Sequence, residues 1–382
     1  MEVLYVYGDF RSGGLEIDIR NLANGLLERG HRSGLATASV DPDPAGSIEG
    51  LAPGVEVRPL RPRCGTLGRR VGLASGVGRV IRDGAWRVVH VFSALPSYAH
   101  FAAMAAGRAA GAAVVWTPML HPSRATTWDH GVARHALRSF DTVVPHAARF
   151  AHAVVAATDD EAERFSRLRC GRVEIIPPAV EDAPLLAVDA AAGFRDRYGL
   201  GSGGLVLMVA ARSERRKGLS FGIAAFRALQ RLVPGVSLAI VGLPAAEFPG
   251  AAEGVHALGR IPLDGLTGAY RAADVVLVPS RYEAFSRVVI EAWQQATPVV
   301  VSGGVGLART VSATQASDWP RTGSPVVPYG DVDAAAGSLR AILADPAAAA
   351  RAGAAGRALV ERAYTVPRVV DDSLALYREL AR

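Results

Sequence analysis

Two glutamates, Glu283 and Glu291, are separated by seven residues in the segment SRYEAFSRVVIEAW. If this segment is mostly helical, the two carboxylates lie roughly 12 Å apart along the helix axis, at a rise of about 1.5 Å per residue. That distance matches the span from the hexose to the ribose of a nucleotide sugar. A helix that begins near Phe285 or Ser286 would direct its N–H groups at the pyrophosphate between the two carboxylates.

Each glutamate also has a structural interpretation. Acidic residues at a helix start often only complement the helix dipole, which is the alternative for Glu283. Glu291 lies in an otherwise apolar run. A buried carboxylate there needs a polar partner, so a purely structural explanation is weaker for Glu291.

A second pair of charges, Arg212 and Lys217, lies in VAARSERRKGLSF, where a predicted strand ends and a helix begins. Lys217 is the only lysine among 42 basic residues. An ammonium group is a compact point charge on a flexible stem, and it fits where a planar guanidinium would not. Gly218 allows a tight turn into the helix. The pattern predicts a phosphate site at the carboxyl edge of a sheet, and a solvated arginine-rich loop is the alternative.

Two adjacent glycines, Gly13 and Gly14, follow the first predicted strand and open a helix. Their unhindered backbone N–H groups can approach an anion closely, although an ordinary turn is the alternative. The segment has neither the GxGxxG spacing of a dinucleotide fold nor the Lys-Ser/Thr end of a Walker loop. An NAD-dependent oxidoreductase is therefore disfavoured.

Alternating strands and helices must position these residues. The apolar runs VLYVYGD, RVVHVFS and AAVVWTPML are separated by segments with a hydrophobic period of about 3.6. The run AHAVVAATDDEAERF predicts another strand, a cap at Thr158 or Asp159, and a helix. This alternation predicts βαβ units around a parallel sheet that is buried on both faces.

The pattern is interrupted once and then restarts. Residues 177–193 are rich in Pro, Ala and acidic residues and are interpreted as an interdomain linker. Five further strands are predicted in GLVLMVAARS, VSLAIVGLP, GVHALGRI, ADVVLVPSR and TPVVVSG. The sequence therefore predicts an α/β protein with two Rossmann-like, doubly wound domains that face each other across a cleft. Ligands of such sheets bind at the carboxyl ends of the strands.

Composition excludes several classes of protein. Of 382 residues, half are hydrophobic and a fifth are charged, which excludes a disordered chain, collagen and a coiled coil. The cysteines, Cys64 and Cys170, form neither a disulfide framework nor a zinc motif, which suits a reducing cytosol. The net charge is +6 without a basic block that contains aromatic residues, so nucleic acid binding is disfavoured. Arginines between positions 61 and 82 predict a solvated face or contact with an anionic membrane or acceptor.

In order and spacing, these motifs resemble the retaining family-4 glycosyltransferases of GT-B fold. The resemblance covers nearly the whole chain, through LANGLLERGH, WTPMLHPSR, VVAATDDEAERF, EIIPPAV, RSERRKG, VHALGRIPLDGLTGAYRAADVVLVPS and the glutamate pair followed by TPVV. It implies an N-terminal Rossmann-like acceptor domain at 1–180 and a C-terminal nucleotide-sugar donor domain at 181–364. It also implies that a helix within 365–382 returns to the N-terminal domain.

The resemblance implies roles for the phosphate-binding and catalytic residues. Arg212 and Lys217 would bind the donor diphosphate, and Gly13 and Gly14 would lie near that diphosphate or an acceptor phosphate. His121 matches the position beside the reacting sugar, and a structural histidine after a strand is its alternative.

The remaining donor contacts are also implied by the resemblance. Glu291 would accept hydrogen bonds from the ribose, and Glu283 would accept them from the transferred sugar. Other donor-binding positions are the base-framing residues Arg260 and Ile261, and the backbone of Phe285, Ser286 and Arg287.

The sequence departs from the family pattern at two places. The usual Glu-Gly-Phe-Gly is EAFS here, so Ala284 and Ser286 replace glycines at the turn that approaches the donor sugar. Their side chains would narrow the sugar pocket or redirect the helix start. At the end of the first half, PPAV stands where an Asn-Gly or Pro-Gly pair is usual, which predicts a stiffer hinge.

Together these features predict a cytoplasmic, retaining glycosyltransferase, with the inner face of the membrane as a second location. Its donor would be a UDP or GDP sugar, and its acceptor a small molecule, a glycan or a lipid-linked hydroxyl compound. No metal and no other cofactor are predicted, because the acidic pairs at Asp41 and Asp43 and at Asp331 and Asp333 suit a loop and a helix cap. The alternatives are a non-catalytic nucleotide-sugar-binding or scaffold protein, and a GT-B epimerase or phosphorylase.

Overall fold

A computed structural model describes residues 1–7, 14–37, 50–60, 76–93, 98–119, 148–168, 171–210, 214–242 and 253–382. The described residues form two compact units. One contains the residues up to Glu181 together with Thr365–Arg382, and the other contains Asp182–Tyr364. These divisions fall beside the boundaries predicted at residues 180 and 364. Of the predicted site residues, Gly13, His121 and Arg212 lie outside the described ranges.

The first unit is built on a parallel sheet. Its strands are β1 (Glu2–Tyr7), β2 (Arg32–Thr37), β3 (Glu56–Pro59), β4 (Val88–Phe92), β5 (Ala113–Thr117), β6 (Ala153–Ala156) and β7 (Arg172–Ile175). They lie in the order β3-β2-β1-β4-β5-β6-β7, and all the neighbours pair in parallel. The helices of this unit include α1 (Gly14–Glu28), α2 (Tyr98–Ala109) and α3 (Asp159–Arg167).

The second unit repeats this plan. Its strands are β8 (Leu205–Val209), β9 (Ser237–Val241), β10 (Val255–Gly259), β11 (Val275–Val278), β12 (Val299–Ser302) and β13 (Val326–Val327), paired in parallel in the order β10-β9-β8-β11-β12-β13. Its helices are α4 (Val188–Tyr198), α5 (Glu214–Lys217), α6 (Leu219–Gln230), α7 (Leu263–Ala272), α8 (Arg287–Gln294), α9 (Ala308–Gln315), α10 (Val332–Leu343) and α11 (Pro346–Ala363). The predicted fold class, two Rossmann-like parallel-sheet domains, is confirmed.

Both faces of the first sheet are buried at the central strands β1, β5 and β6, which explains why these strands are mainly apolar. Along β1, Val3 and Tyr5 pack into one hydrophobic cluster, whereas Leu4 and Val6 pack into another. Side chains alternate between the faces of a strand, so each face has its own core. None of the helices in the described ranges is long and apolar enough to cross a bilayer.

The chain ends on the first unit with a helix, α12 (Val366–Leu380), which packs beside α1. The approach is close at Gly25, where an added Cβ would lie 2.5 Å from Cγ2 of Val370. A larger residue at this position would push the two helices apart. The predicted C-terminal helix is therefore present within residues 365–382, and it belongs to the first unit.

Some local predictions are confirmed and others are wrong. Thr158 caps α3 by accepting from the N–H of Glu161, as predicted. The linker predicted over 177–193 is too long, because α4 begins at Val188. The alanine-rich end of that segment favours a helix, which ends at the left-handed Gly199. The short strand β13 was not predicted.

A buried histidine connects α12 to the sheet. In β4, Nδ1 of His90 lies 2.5 Å from the Tyr377 hydroxyl, and its Nε2 lies 2.7 Å from Oγ1 of Thr117. The His90 ring also packs 4.2 Å from the ring of Phe92. Burial lowers the pKa of His90 to about 3, so the ring is neutral at physiological pH. His90 is thus a structural residue.

Acid should therefore destabilise the first unit. In the unfolded chain a histidine takes up a proton below about pH 6.5, whereas folded His90 does so only near pH 3. Each unit of this pKa difference changes the free energy of unfolding by up to ~1.4 kcal/mol. The stabilisation is complete above about pH 6.5 and is lost as the pH falls toward 3. Peptide-resolved hydrogen exchange should show falling protection of β4 over that range.

His90→Gln should flatten this pH dependence. His100 is also buried, with a pKa lowered to about 4, so a residual slope of the same sign is expected from it. Tyr377→Phe is the matched control, because it removes one hydrogen bond and keeps the histidine. An unchanged slope in His90→Gln would contradict the prediction.

Candidate functional site

The two loops that carry the predicted charges meet where the strand order of the second sheet reverses. Strand β8 lies next to β11, whereas β9 lies on its other side. The chain therefore leaves β8 and β11 in opposite directions, which opens a crevice at their carboxyl ends. Helix α5 follows β8 and ends at Lys217, and the loop after β11 contains Glu283.

Backbone contacts hold the two loops together. The N–H of Arg281 donates to the carbonyl of Arg216 over 2.9 Å. Gly218, with φ of +67°, separates α5 from α6, and an added Cβ would lie 1.9 Å from the Pro279 oxygen. Only glycine fits both this conformation and this contact. The predicted tight turn at Gly218 is therefore also the point where the loop after β11 is held.

Lys217 and Glu283 form a shielded ion pair. Nζ of Lys217 lies 2.6 Å from Oε1 of Glu283, and the side chains are only 14% and 13% exposed. The Ser280 hydroxyl donates to the other carboxylate oxygen over 3.0 Å. Burial alone would raise the pKa of Glu283, but the Lys217 charge and these hydrogen bonds hold it below its usual value. The carboxylate is therefore ionised and oriented.

Glu283 is not helical, which corrects the helical-spacing argument. Its N–H donates to Gly304 over 2.9 Å, and its carbonyl accepts from Gly306 over 2.7 Å. These bonds form a parallel bridge between Glu283 and Val305, so Glu283 is extended, and α8 begins four residues later. The roughly 12 Å of helical rise therefore does not describe its separation from Glu291.

The start of α8 has a strained backbone. The helix begins at Arg287 with Ser286 as its N-cap, beside the predicted start. Ser286 has a φ of +113°, in the region that favours glycine, and the family resemblance implies a glycine at this position. Its hydroxyl is buried and has no hydrogen-bond partner among the described residues. A helix N-terminus presents N–H groups that favour an anion.

Glu291 lies on α8 and has the polar partners that its apolar surroundings require. The Tyr270 hydroxyl donates to Oε2 over 2.8 Å, and Nε of Arg287 lies 3.4 Å from Oε1. Burial, followed by the negative charge of Glu291, raises the pKa of Tyr270 well above its usual value, so the phenol remains a donor. Sequence reasoning missed Tyr270; the requirement of Glu291 for a partner was the only signal.

The other predicted residues are distributed over both units. Gly14 is the first residue of α1, as predicted, and it belongs to the first unit. Arg260 is exposed and Ile261 is half-buried, directly after the edge strand β10. Phe285 is buried against Tyr364, with ring centroids 5.9 Å apart.

One of the acidic pairs considered as a metal motif is a helix cap. Asp331 caps α10 by accepting from the N–H of Ala334. The other pair, Asp41 and Asp43, lies outside the described residues. The capping interpretation of Asp331 is therefore confirmed.

The arrangement can bind an anion beside polar hydroxyl groups. Lys217 supplies a cation, α8 supplies oriented N–H groups, and the carboxylates of Glu283 and Glu291 supply acceptors for hydroxyl groups. Lys217, Glu283 and the start of α8 come from the loops beside the β8–β11 crevice.

Breaking the Lys217–Glu283 pair from either side should destabilise the second unit. Lys217→Met and Glu283→Gln should each cost about 1–3 kcal/mol, because each leaves the partner charge buried alone. The double variant should cost less than the sum by about 1–2 kcal/mol. Chemical unfolding of the wild type, the two single variants and the double variant measures this coupling.

The control is the exposed pair Arg368 and Asp372 on α12, whose side chains are 56% and 42% exposed. Their coupling should stay below about 0.5 kcal/mol. Equal couplings for the two pairs would mean that the Lys217–Glu283 contact is an ordinary surface ion pair.

Comparisons with known protein families match both halves of the chain. The family model "Glycosyl transferases group 1" matches residues 193–359, and the model "Glycosyl transferase 4-like domain" matches residues 13–179. Between them the two models cover most of the chain.

Curated relatives match parts of the chain. A GDP-mannose-dependent alpha-(1-6)-phosphatidylinositol monomannoside mannosyltransferase of Mycolicibacterium smegmatis is 35% identical over 48% of this chain and 50% of its own. A D-inositol 3-phosphate glycosyltransferase of Nocardiopsis dassonvillei is 31% identical over 63% of this chain and 58% of its own. The chain thus spans about half the length of the curated relatives it matches.

Solved structures share the fold over the full length. The Anabaena protein HepE in complex with UDP aligns with a TM-score of 0.76 at 18% identity, over 99% of this chain and 100% of its own. Sucrose-phosphate synthase from Thermosynechococcus elongatus aligns with a TM-score of 0.74 at 22% identity, over 100% and 99%. At these identities the likeness concerns the fold. The two family models show that the chain belongs to the group 1 glycosyltransferases, and the solved structures show that it has their GT-B fold.

Proposed function

We propose that the chain transfers a hexose from a nucleoside diphosphate sugar to an acceptor hydroxyl, with retention of configuration and without a metal ion. The observation that carries this proposal is the Lys217–Glu283 pair at the β8–β11 crevice, followed by Glu291 on α8. It combines a cation for a diphosphate with carboxylates for two sets of sugar hydroxyls.

The diphosphate is assigned to Lys217 and to the N-terminus of α8. Both lie beside the crevice where ligands of a doubly wound sheet bind. The ammonium of Lys217 is already held in place by Glu283, so little side-chain freedom is lost when a phosphate joins it. Arg212, five residues before Lys217, is proposed as a second cation on the strength of the family resemblance.

The ribose and the hexose are assigned to different carboxylates. The Tyr270 hydroxyl orients Oε2 of Glu291, so that carboxylate is fixed as an acceptor for ribose hydroxyls. The transferred hexose is assigned to Glu283, beside the backbone of Phe285, Ser286 and Arg287. We propose UDP or GDP as the nucleotide, because HepE was solved with UDP and the M. smegmatis relative is named GDP-mannose-dependent. Arg260 and Ile261 are proposed to frame the base.

The poor basicity of the site supports the proposal of retention. Glu283 is ionised, paired with Lys217 and lowered in pKa, so it accepts an acceptor proton weakly. The departing phosphate oxygen, stabilised by Lys217 and the α8 N–H groups, can take that proton on the same face of the sugar. His121 is proposed to lie beside the reacting sugar. The same cationic groups would neutralise the leaving diphosphate without a metal.

The acceptor is proposed to bind the first unit, near Gly13 and Gly14. The relatives' names include inositol 3-phosphate and phosphatidylinositol monomannoside as acceptors, so both free and lipid-linked hydroxyl compounds are candidates. We propose a cytoplasmic location that includes the inner face of the membrane, where such acceptors are available.

The two carboxylates should contribute differently to donor binding, and this difference can be measured without an acceptor. Glu291→Gln should weaken binding of free UDP or GDP about tenfold, because it removes a charged acceptor from the ribose. Glu283→Gln should bind the free nucleotide nearly as tightly as the wild type, but lose the additional affinity for UDP-glucose or GDP-mannose. Isothermal titration calorimetry measures both.

Two further proteins make this experiment decisive. Tyr270→Phe keeps the packing and removes only the hydroxyl, so it should reproduce part of the Glu291→Gln effect. Ser280→Ala, which removes a hydrogen bond to Glu283, should likewise reproduce part of the Glu283→Gln effect. If Glu283→Gln weakens free nucleotide binding and Glu291→Gln does not, the donor binds in the reverse orientation, with its ribose at Glu283 and its hexose at Glu291. Donor binding without any transfer by the wild type would instead support a non-catalytic binder.

The stereochemistry can be tested on donor hydrolysis, with water as the acceptor. Proton NMR should show α-glucose as the first product released from UDP-glucose, before mutarotation. The rate should not change with EDTA, and it should fall at least a hundredfold in Lys217→Ala. Lys217→Arg should also lower the hydrolysis rate, because a planar guanidinium group does not replace the compact charge of an ammonium group. A β product, or a loss of rate in EDTA that magnesium restores, would contradict the mechanism.

A further inference from the structure

The first unit contains a cavity that the proposed donor site does not use. Its empty volume is about 480 Å³ when the open solvent at its mouth is included. Its walls come from α1, from β4 and β5, from residues 176–179, and from α12. All the residues that line it belong to the first unit.

The walls are mainly aliphatic. Leu15 and Leu22 of α1 face the cavity together with Val366, Val369 and Val370 of α12. Phe92, Val155 and two consecutive prolines complete the apolar lining. Such walls favour a hydrocarbon chain or ring over a sugar.

One polar group on the wall has no partner. Asn21 is 9% exposed, lines the cavity, and has an Nδ2 group with no hydrogen-bond partner among the described residues. A buried amide donor without an acceptor costs free energy, so a ligand oxygen at this position would be stabilising. Asp18 lines the cavity one helical turn earlier, on the same face of α1. An amide donor beside a carboxyl acceptor matches a hydroxyl group, which both accepts and donates.

The charge of the lining argues against an anionic ligand. Among the described residues, the lining includes Asp18 and contains no lysine or arginine. His90 also lines the cavity, and both of its ring nitrogens are engaged, one by Tyr377 and one by Thr117. Of the described groups on the wall, a carboxylate or phosphate would therefore meet the Asp18 carboxyl group and no lysine or arginine.

A strained residue borders the same space. Met119 lines the cavity directly after β5 with a φ of +46°, which is unusual for a residue with a side chain. Strained backbone is commonly retained at binding sites, where the surrounding structure holds it in place.

We propose that the first unit binds a neutral, mostly apolar alcohol in this cavity, with its hydroxyl between Asn21 and Asp18 and its hydrocarbon part between α1 and α12. The site stands independently of the proposed transfer reaction. Because α12 supplies one wall, the ligand should also hold α12 on the first unit.

The test uses the full chain and three eight-carbon probes. The alcohol 1-octanol should bind, whereas octanoate, which carries a charge, should bind at least tenfold more weakly. 1-Chlorooctane, which has no hydroxyl, should bind about five- to tenfold more weakly than 1-octanol. Calorimetry without any nucleotide measures the affinities, and hydrogen exchange should show increased protection of α12 with 1-octanol.

Variants tie the binding to this cavity. Asn21→Leu keeps the side-chain size and should bring 1-octanol to the affinity of 1-chlorooctane. Val366→Trp should fill the cavity and abolish binding of both. Asn24→Leu is the control on the same helix, because Asn24 bonds to Gly50 and Ala52 and does not line the cavity. Circular dichroism checks the fold of each variant.

Two results would overturn the proposal: 1-octanol affinity unchanged in both Asn21→Leu and Val366→Trp, or octanoate binding as tightly as 1-octanol. Adding UDP-glucose and recovering the alcohol for mass spectrometry distinguishes two sources of such a ligand. Recovery as the glucoside identifies an acceptor, and recovery intact identifies a bound lipid-like ligand. Loss of transfer with octanol binding intact would contradict only the proposed function.

Discussion

The parallel pairing of β8 with β11 is the constraint on which the candidate site depends. These strands are consecutive in space but not along the chain, and their pairing brings the loop after each to one edge of the sheet. The loops are then joined by the Arg281–Arg216 hydrogen bond and by the close approach at Gly218. A buried ion pair is stable only when its geometry is held from outside, and this double attachment provides that support. The pairing of strands in the sheet therefore determines the positions of Lys217 and Glu283 more than the conformation of either loop does.

Polar groups inside the two units are oriented by hydroxyl groups from neighbouring elements. Tyr270 of α7 reaches Glu291 of α8, and Tyr377 of α12 reaches His90 of β4. In each case a tyrosine packs its large apolar ring into the core and forms one hydrogen bond through its hydroxyl group. The same side chain therefore provides both the packing and the hydrogen-bond partner. In the second unit the oriented group is a carboxylate, and in the first it is a neutral imidazole.

Much of the fold was predictable from the sequence because both faces of each sheet are buried. Burial on both faces makes strands such as β6 and β11 uninterrupted apolar runs, and it makes the helices between them amphipathic. The start of α8 and the special position of Lys217 were also visible. The Lys217–Glu283 contact was not, because it joins residues 66 positions apart through the sheet order. The same holds for the extended backbone of Glu283, which depends on a bridge to Val305. β13, with two residues, is too short to give a pattern.

The return of α12 to the first unit makes that unit discontinuous along the chain. Residues 182–364 form one uninterrupted stretch, whereas the first unit needs residues on both sides of it. During synthesis, the second unit can complete its contacts before Tyr377 has been added. Until then, the sheet face that contains Tyr5 and Val88 lacks the α12 side chains, such as Val370, that pack into the same apolar cluster. The second unit is thus the natural autonomous folding unit, and the last helix closes the first one.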